Sequence, residues 1–201
     1  MSSTKLSENR LRQAGLGVFF RPGQLERLGI GYDQLRRLVS RGAVERVGRG
    51  LYRLADAEPT ENYSLAAASA RVPNSIVCLL SALRVHGIGT QLPREVWLAI
   101  PHKARAPRAF GTQIRVVRFT GAAWTYGVQD TTFERVPARI TGPARTVVDC
   151  FRFERLIGRE AAVEALRDGL RQKRVMTDEL VRALDVLPSR ALTAILESAV
   201  L

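Results

Sequence analysis

Apolar residues recur at helical spacing between Pro22 and Arg41 and then flank a glycine-rich tip, so Pro22 to Arg53 predicts two short helices followed by a hairpin. The first helix runs from Pro22 to Leu28. Pro22 stands where a first helical residue tolerates a missing N–H, and Leu25 and Leu28 share one face. Gly29 ends it, Ile30 plugs the corner, and Gly31 is placed to cap a second helix from Tyr32 to about Arg41. Leu35, Leu38 and Val39 form that helix's inward stripe. Asp33, Arg36, Arg37 and Ser40 then point outward, with Gln34 and Arg41 on the flanks. After a stop at Gly42, residues 43–47 and 51–54 flank Gly48, Arg49 and Gly50 as a hairpin.

The remainder has a different rhythm. A first helix is predicted over Leu6 to Ala14, with Val18, Phe19 and Phe20 buried at the junction between it and the hairpin. Composition shifts over Asp56 to Thr60, which reads as a linker, so the chain is expected to divide into domains at 1–57 and 61–201. Beyond it, helices are predicted over Tyr63 to Arg71 and Ser75 to Val85. Strands follow at Glu95 to Ile100, Gln113 to Phe119, Gly127 to Val136 and Ala138 to Ile140. A helix begins near Thr141, its expected cap, and places Arg145 and Asp149 one turn apart for a surface pair. Glu160 to Lys173, Thr177 to Leu184 and a segment capped by Ser189 complete a helical tail. The fold class expected is α+β: an N-terminal winged helix-turn-helix followed by a C-terminal α/β domain with a small mixed sheet and a helical tail.

Charge gives the helical pair a meaning. The chain of 201 residues carries a net charge of +12 and a pI near 11.0, which predicts a polyanionic partner. Residues 1–57 hold 11 basic against 5 acidic residues, and the rest hold 20 against 14, so each part has an excess of 6. An arginine-bearing outer helix face suits a major groove: Arg grips guanine bidentately or takes a phosphate, and Gln suits adenine. The expected DNA-binding set is Tyr32, Asp33, Gln34, Arg36, Arg37, Ser40 and Arg41 on the helix, with Arg46, Arg49 and Arg53 of the hairpin on phosphates. A plain αα-hairpin with a solvated charged face shares the spacing. The ordered run of glycine stops, corner residue, basic face and arginine wing favours duplex DNA. The basic loop from Pro101 to Arg108 admits two readings, a second DNA contact through Lys103, Arg105 and Arg108 or a solvated turn.

Catalytic patterns are absent. The chain has no phosphate loop, no nucleophile elbow, no zincin helix and no paired cysteines for zinc, and its strand carboxylates lack the lysine that a nuclease motif would place two positions on. No cofactor, metal or enzyme activity is expected. His86 reads as a histidine favoured in charged form at a helix C-terminus. Cys78 and Cys150 read as buried, reduced thiols. No apolar run reaches the length of a membrane span and no leader pattern opens the chain, so a cytoplasmic location is expected.

Leu25 to Leu54 resembles the AbiEi-type antitoxins of type IV toxin-antitoxin systems: the Gly29-Ile30 corner, Leu35-Arg36-Arg37-Leu38-Val39, Arg41-Gly42 and the Gly48-to-Tyr52 wing carry the likeness. It extends through Ser81 to Gly87, Trp97, Arg115 to Arg118 and the segment Gly142 to Arg152, where Arg145 and Asp149 belong to the signature. The resemblance implies a bacterial transcriptional repressor that binds repeats in its own promoter. It also implies an α/β domain that opposes a nucleotidyltransferase-like toxin without a stable complex. Two other functions compete with it: an antidote acting through the C-terminal domain alone, and an enzyme acting on nucleic acid. Oligomeric state is open, with a monomer binding DNA cooperatively as one form.

Overall fold

Burial follows the predicted stripes in the computed structural model, which describes residues 11, 16–58, 60–107 and 112–198. The chain divides into two compact units. The first takes the described residues through Pro73 together with Pro107, Thr112 and Thr131–Ala138; the second takes Asn74–Ala106, Gln113–Asp130 and Arg139 onward.

In the first unit, β1 (Phe19–Phe20) precedes α1 (Pro22–Glu26), α2 (Tyr32–Ser40), β2 (Val44–Gly48) and β3 (Leu51–Leu54), and α3 (Tyr63–Arg71) follows. Leu11, Phe20, Leu25, Ile30, Leu35, Leu38, Val44 and Tyr52 form its core. Leu35 and Leu38 bury because they are one turn apart on α2, and both lie on the face that meets α1 and the hairpin. The helix expected over Leu6 to Ala14 lies outside the described residues except for Leu11, which is buried. Phe19 and Phe20 do more than bury: they pair antiparallel with Arg53 and Tyr52, making a three-stranded sheet in the order β1-β3-β2. The predicted α3 boundaries are reproduced, and α3 belongs to the first unit.

The second unit is built on β4 (Ile76–Val77), α4 (Leu79–His86), β5 (Val96–Pro101), β6 (Ile114–Phe119), a 3-10 turn (Gly121–Trp124), β7 (Val128–Phe133) and β8 (Val136–Thr141), with the end of β7, the turn and the start of β8, Thr131–Ala138, counted in the first unit. Helices α5 (Pro143–Arg152), α6 (Glu154–Ile157), α7 (Arg159–Arg171), α8 (Thr177–Val186) and α9 (Arg190–Ser198) follow. The sheet is mixed, as expected, with order β6-β5-β4-β8-β7. β5 runs parallel to β6 over six residue pairs, and β4 is antiparallel to β5 but parallel to β8. Val147, Val148, Cys150 and Phe151 of α5 sit in the largest core, against α4, α7 and α8.

Two segments depart from the sequence reading. Ser75 to Val85 is not one helix: Ile76 and Val77 form the central strand β4, and the helix starts at Leu79. The strand expected over Ala138 to Ile140 is the longer β8, and the strand expected to run from Gly127 to Val136 ends at Phe133, where Glu134 and Arg135 turn the chain with positive φ.

Candidate nucleic-acid interface

Short side-chain bonds fix the start of each helix in the helix-turn-helix. The Arg21 N–H donates to Gln24 Oε1 at 2.8 Å, and the Gly31 N–H donates to Gln34 Oε1 at 3.0 Å. Each amide side chain reaches back to an N–H that has no partner within the helix. Between them, Gly29 adopts φ +69°, a conformation that an L side chain enters at a cost, and the chain reverses so that Ile30 N donates to Leu25 O at 3.0 Å.

The outer face of α2 is open. Tyr32 is 66% exposed, and Asp33, Arg36, Arg37, Ser40 and Arg41 are exposed beside it, with Gln34 half-buried. On the hairpin, Arg46 and Arg49 are exposed. Arg46 Nε donates to Gly48 O at 3.4 Å, where the strand register shifts and the wing twists. Among the described residues, no ion pair is formed by Arg36, Arg37, Arg41, Arg46 or Arg49.

Arg53, expected on phosphates, is placed otherwise. Its guanidinium meets Glu45 Oε2 at 2.8 Å, donates to the Tyr63 hydroxyl at 3.1 Å and lies 6.0 Å from that ring's centre. Glu45 stands directly opposite Arg53 in the strand register, and its carboxylate raises the arginine's pKa. Tyr63 also packs 5.1 Å from Phe19. Arg53 thus braces the wing against α3, a role that sequence reasoning missed. The signal was the cross-strand Glu45, legible once the tip is fixed at Arg49.

Lys103 and Arg105 of the basic loop lie in the second unit and are exposed; Arg108 lies outside the described residues. Its shape comes from Arg118 of β6, which donates to Pro101 O at 3.1 Å, to Ala104 O at 2.9 Å and to His102 O.

Three expectations for the region around α5 are corrected. Arg145 and Asp149 pair at 2.7 Å, yet not on a surface: Arg145 is 2% exposed and Asp149 0%. The guanidinium donates further to Ala123 O at 2.9 Å and to Tyr126 O, lies 5.0 Å over Phe119, and shares Asp149 with Arg152 at 2.8 Å. Burial pushes the Asp149 carboxyl up, against the pull of Arg145 and Arg152. Gly127 makes the packing possible, because a Cβ there would stand 2.9 Å from Arg145 Cβ. Thr141 is not the cap of α5. Gly142 is, with Pro143 at the first turn, and the Thr141 hydroxyl bonds Thr146 instead. The charged form of His86 is not favoured either: burial lowers its pKa, against the pull of the Thr141 carbonyl 2.7 Å from Nε2.

Cys78 and Cys150 are free and buried, and burial raises both thiols. Among the described residues, no group of three or more His, Cys, Asp or Glu is arranged to hold a metal, and no helix is long and apolar enough to cross a membrane.

Comparison with known proteins adds to this geometry. The fold is similar to that of the RV2827C protein from Mycobacterium tuberculosis, whose crystal structure superposes with a TM-score of 0.59 over 92% of this chain and 72% of that one at 17% identity. No curated protein matches the chain. Residues 9–55, which hold the helix-turn-helix and wing, match the family described as "Transcriptional regulator, AbiEi antitoxin".

Proposed function

We propose that this protein is a sequence-specific, double-stranded DNA-binding transcriptional repressor that regulates its own operon as the antitoxin of a type IV toxin-antitoxin system. In this reading α2 lies in the major groove and presents Tyr32, Asp33, Arg36, Arg37 and Ser40 to base edges, while Gln34 and Arg41 flank it. Arg46 and Arg49 of the wing neutralise backbone phosphates, and Arg53 holds the wing in place. The observation that carries the reading is the set of five exposed arginines on α2 and the hairpin without an ion pair among the described residues, in a head that matches a transcriptional-regulator family. Lys103 and Arg105 of the Arg118-held loop supply a second phosphate contact. A nucleotidyltransferase-like toxin is opposed indirectly, and the protein acts in the cytoplasm without catalysing a reaction.

Mobility shift on the DNA upstream of its own gene, across a salt series, tests this. Expected is an association constant whose logarithm falls linearly with the logarithm of salt, with a slope of roughly 0.9 per phosphate contacted. Retention that is absent, or insensitive to salt, would refute it.

A further inference from the structure

The outward face of α2 carries one amide side chain, Gln34, and that amide is engaged within the helix. A bidentate grip on adenine needs the amide oxygen to accept from N6 while the nitrogen donates to N7. Gln34 Oε1 already accepts from the Gly31 N–H at 3.0 Å, at the orphaned start of the helix. Ser40 is engaged similarly, its hydroxyl donating to Arg37 O at 3.0 Å.

Asp33 shows the opposite behaviour. It stands one turn before both Arg36 and Arg37, at i,i+3 and i,i+4. In α7 and α8 those spacings close the pairs Asp168 with Arg171 and Asp178 with Arg182, at 2.5 Å and 2.8 Å. On α2 neither pair closes among the described residues, so one carboxylate and two guanidinium groups stand open side by side on an exposed face. A carboxylate facing duplex DNA is repelled by every phosphate and repaid only at an exocyclic amino group; cytosine N4 suits it best, because adenine sets the N7 acceptor beside its N6 donor.

We infer that α2 reads G·C pairs: Arg36 and Arg37 take guanine, Asp33 takes cytosine and rejects other bases at its position, and Gln34 positions the helix start without reading adenine. This rests on the DNA-binding reading above and names the bases that it selects.

The test is selection from a randomised duplex library at fixed salt with the full chain, its Asp33→Asn, Gln34→Ala and Arg37→Ala variants, and circular dichroism of each to confirm folding. Expected for the parent is enrichment of G·C pairs at the positions that Arg37→Ala alters and at their neighbours. Asp33→Asn supplies an adenine-reading amide and should move one position from C·G toward A·T by roughly tenfold. It should also tighten binding to unselected duplex, because a negative charge leaves the interface. Gln34→Ala should weaken all sequences alike with its base preferences kept. Enrichment of A·T at those positions, an unchanged profile for Asp33→Asn, or loss of an adenine preference in Gln34→Ala would overturn the inference while DNA binding stands. Failure of the parent to retain any duplex would overturn the DNA-binding reading and this one with it.

Discussion

The head and the α5 core of the second unit put the same side chain to opposite uses. Arg145 is dehydrated, and each of its guanidinium nitrogens meets an acceptor: Asp149, Ala123 O or Tyr126 O. Removing a cation from water costs several kcal/mol, so a buried guanidinium persists only when its donors are matched. Arg36, Arg37, Arg41 and Arg49 keep their water and have no ion pair among the described residues. The difference teaches that net charge is a poor guide to binding. The two parts of the chain carry equal excesses of 6, but part of the second unit's arginine is engaged in holding its own core. What marks an interface is cationic side chains left without partners on a rigid element.

That contrast breaks most visibly at Asp149. Replacing it with alanine leaves Arg145 buried with one donor unmatched, and the expected loss is about 3–5 kcal/mol of unfolding free energy, read by urea denaturation of the full chain. A loss under about 1 kcal/mol would mean that the Ala123 and Tyr126 carbonyls suffice. The converse experiment is Arg37→Ala with Arg49→Ala, where stability should move by no more than about 0.5 kcal/mol because neither side chain forms an ion pair among the described residues. Duplex affinity should fall instead. Loss of Arg37 should cost about 1–3 kcal/mol and relax sequence choice, and loss of Arg49 should lower the salt slope by about 1 without regard to sequence.

How far such contrasts are legible in sequence differs between the two regions for a physical reason. In the head, the determinants are local: Leu35 and Leu38 sit one turn apart, Gly29 and Gly42 bound α2, and the hairpin closes within a few residues. The signature of the α5 region is visible as a spacing, but its burial is not, because the carbonyls that satisfy Arg145 come from 19 and 22 residues away. β4 was hidden for a related reason. The run from Ile76 to Leu80 is uninterruptedly apolar, which suits a buried helix or a central strand equally, and only pairing with Leu98, Ala99 and Ile140 decides it. The discontinuity of the first unit, which takes in Thr131–Ala138, likewise depends on distant contacts: Val18 N donates to Glu134 O at 3.1 Å, and a Cβ on Gly17 would stand 2.9 Å from that same carbonyl.

Between the extremes lies Arg53, partly exposed and paired with Glu45. Glu45→Ala should cost no more than about 1 kcal/mol, as exposed ion pairs do. It should strengthen duplex binding, since an acidic group leaves the wing while Tyr63 still holds the guanidinium. Weaker binding in this variant would show that the position of the wing, and not its charge, governs the contact.

The smallest effect expected belongs to Asp168 on α7, where a surface carboxylate serves structure. The Arg171 guanidinium, the Gly89 N–H and the Gln172 amide hold its pKa down at about 2. An unfolded chain returns it to about 3.9. Because the folded pKa is the lower, the contribution is fully present above the unfolded value and is lost as pH falls through the folded one. Asp168→Asn retains an oxygen for the Gly89 N–H but removes the charge. The difference in denaturation midpoint between parent and variant should therefore be constant above about pH 5 and shrink between about pH 4 and pH 2. A difference that stays constant through that acid range would assign the contribution to the bond with Gly89 alone, and the α7 carboxylate would then hold its loop without using its charge.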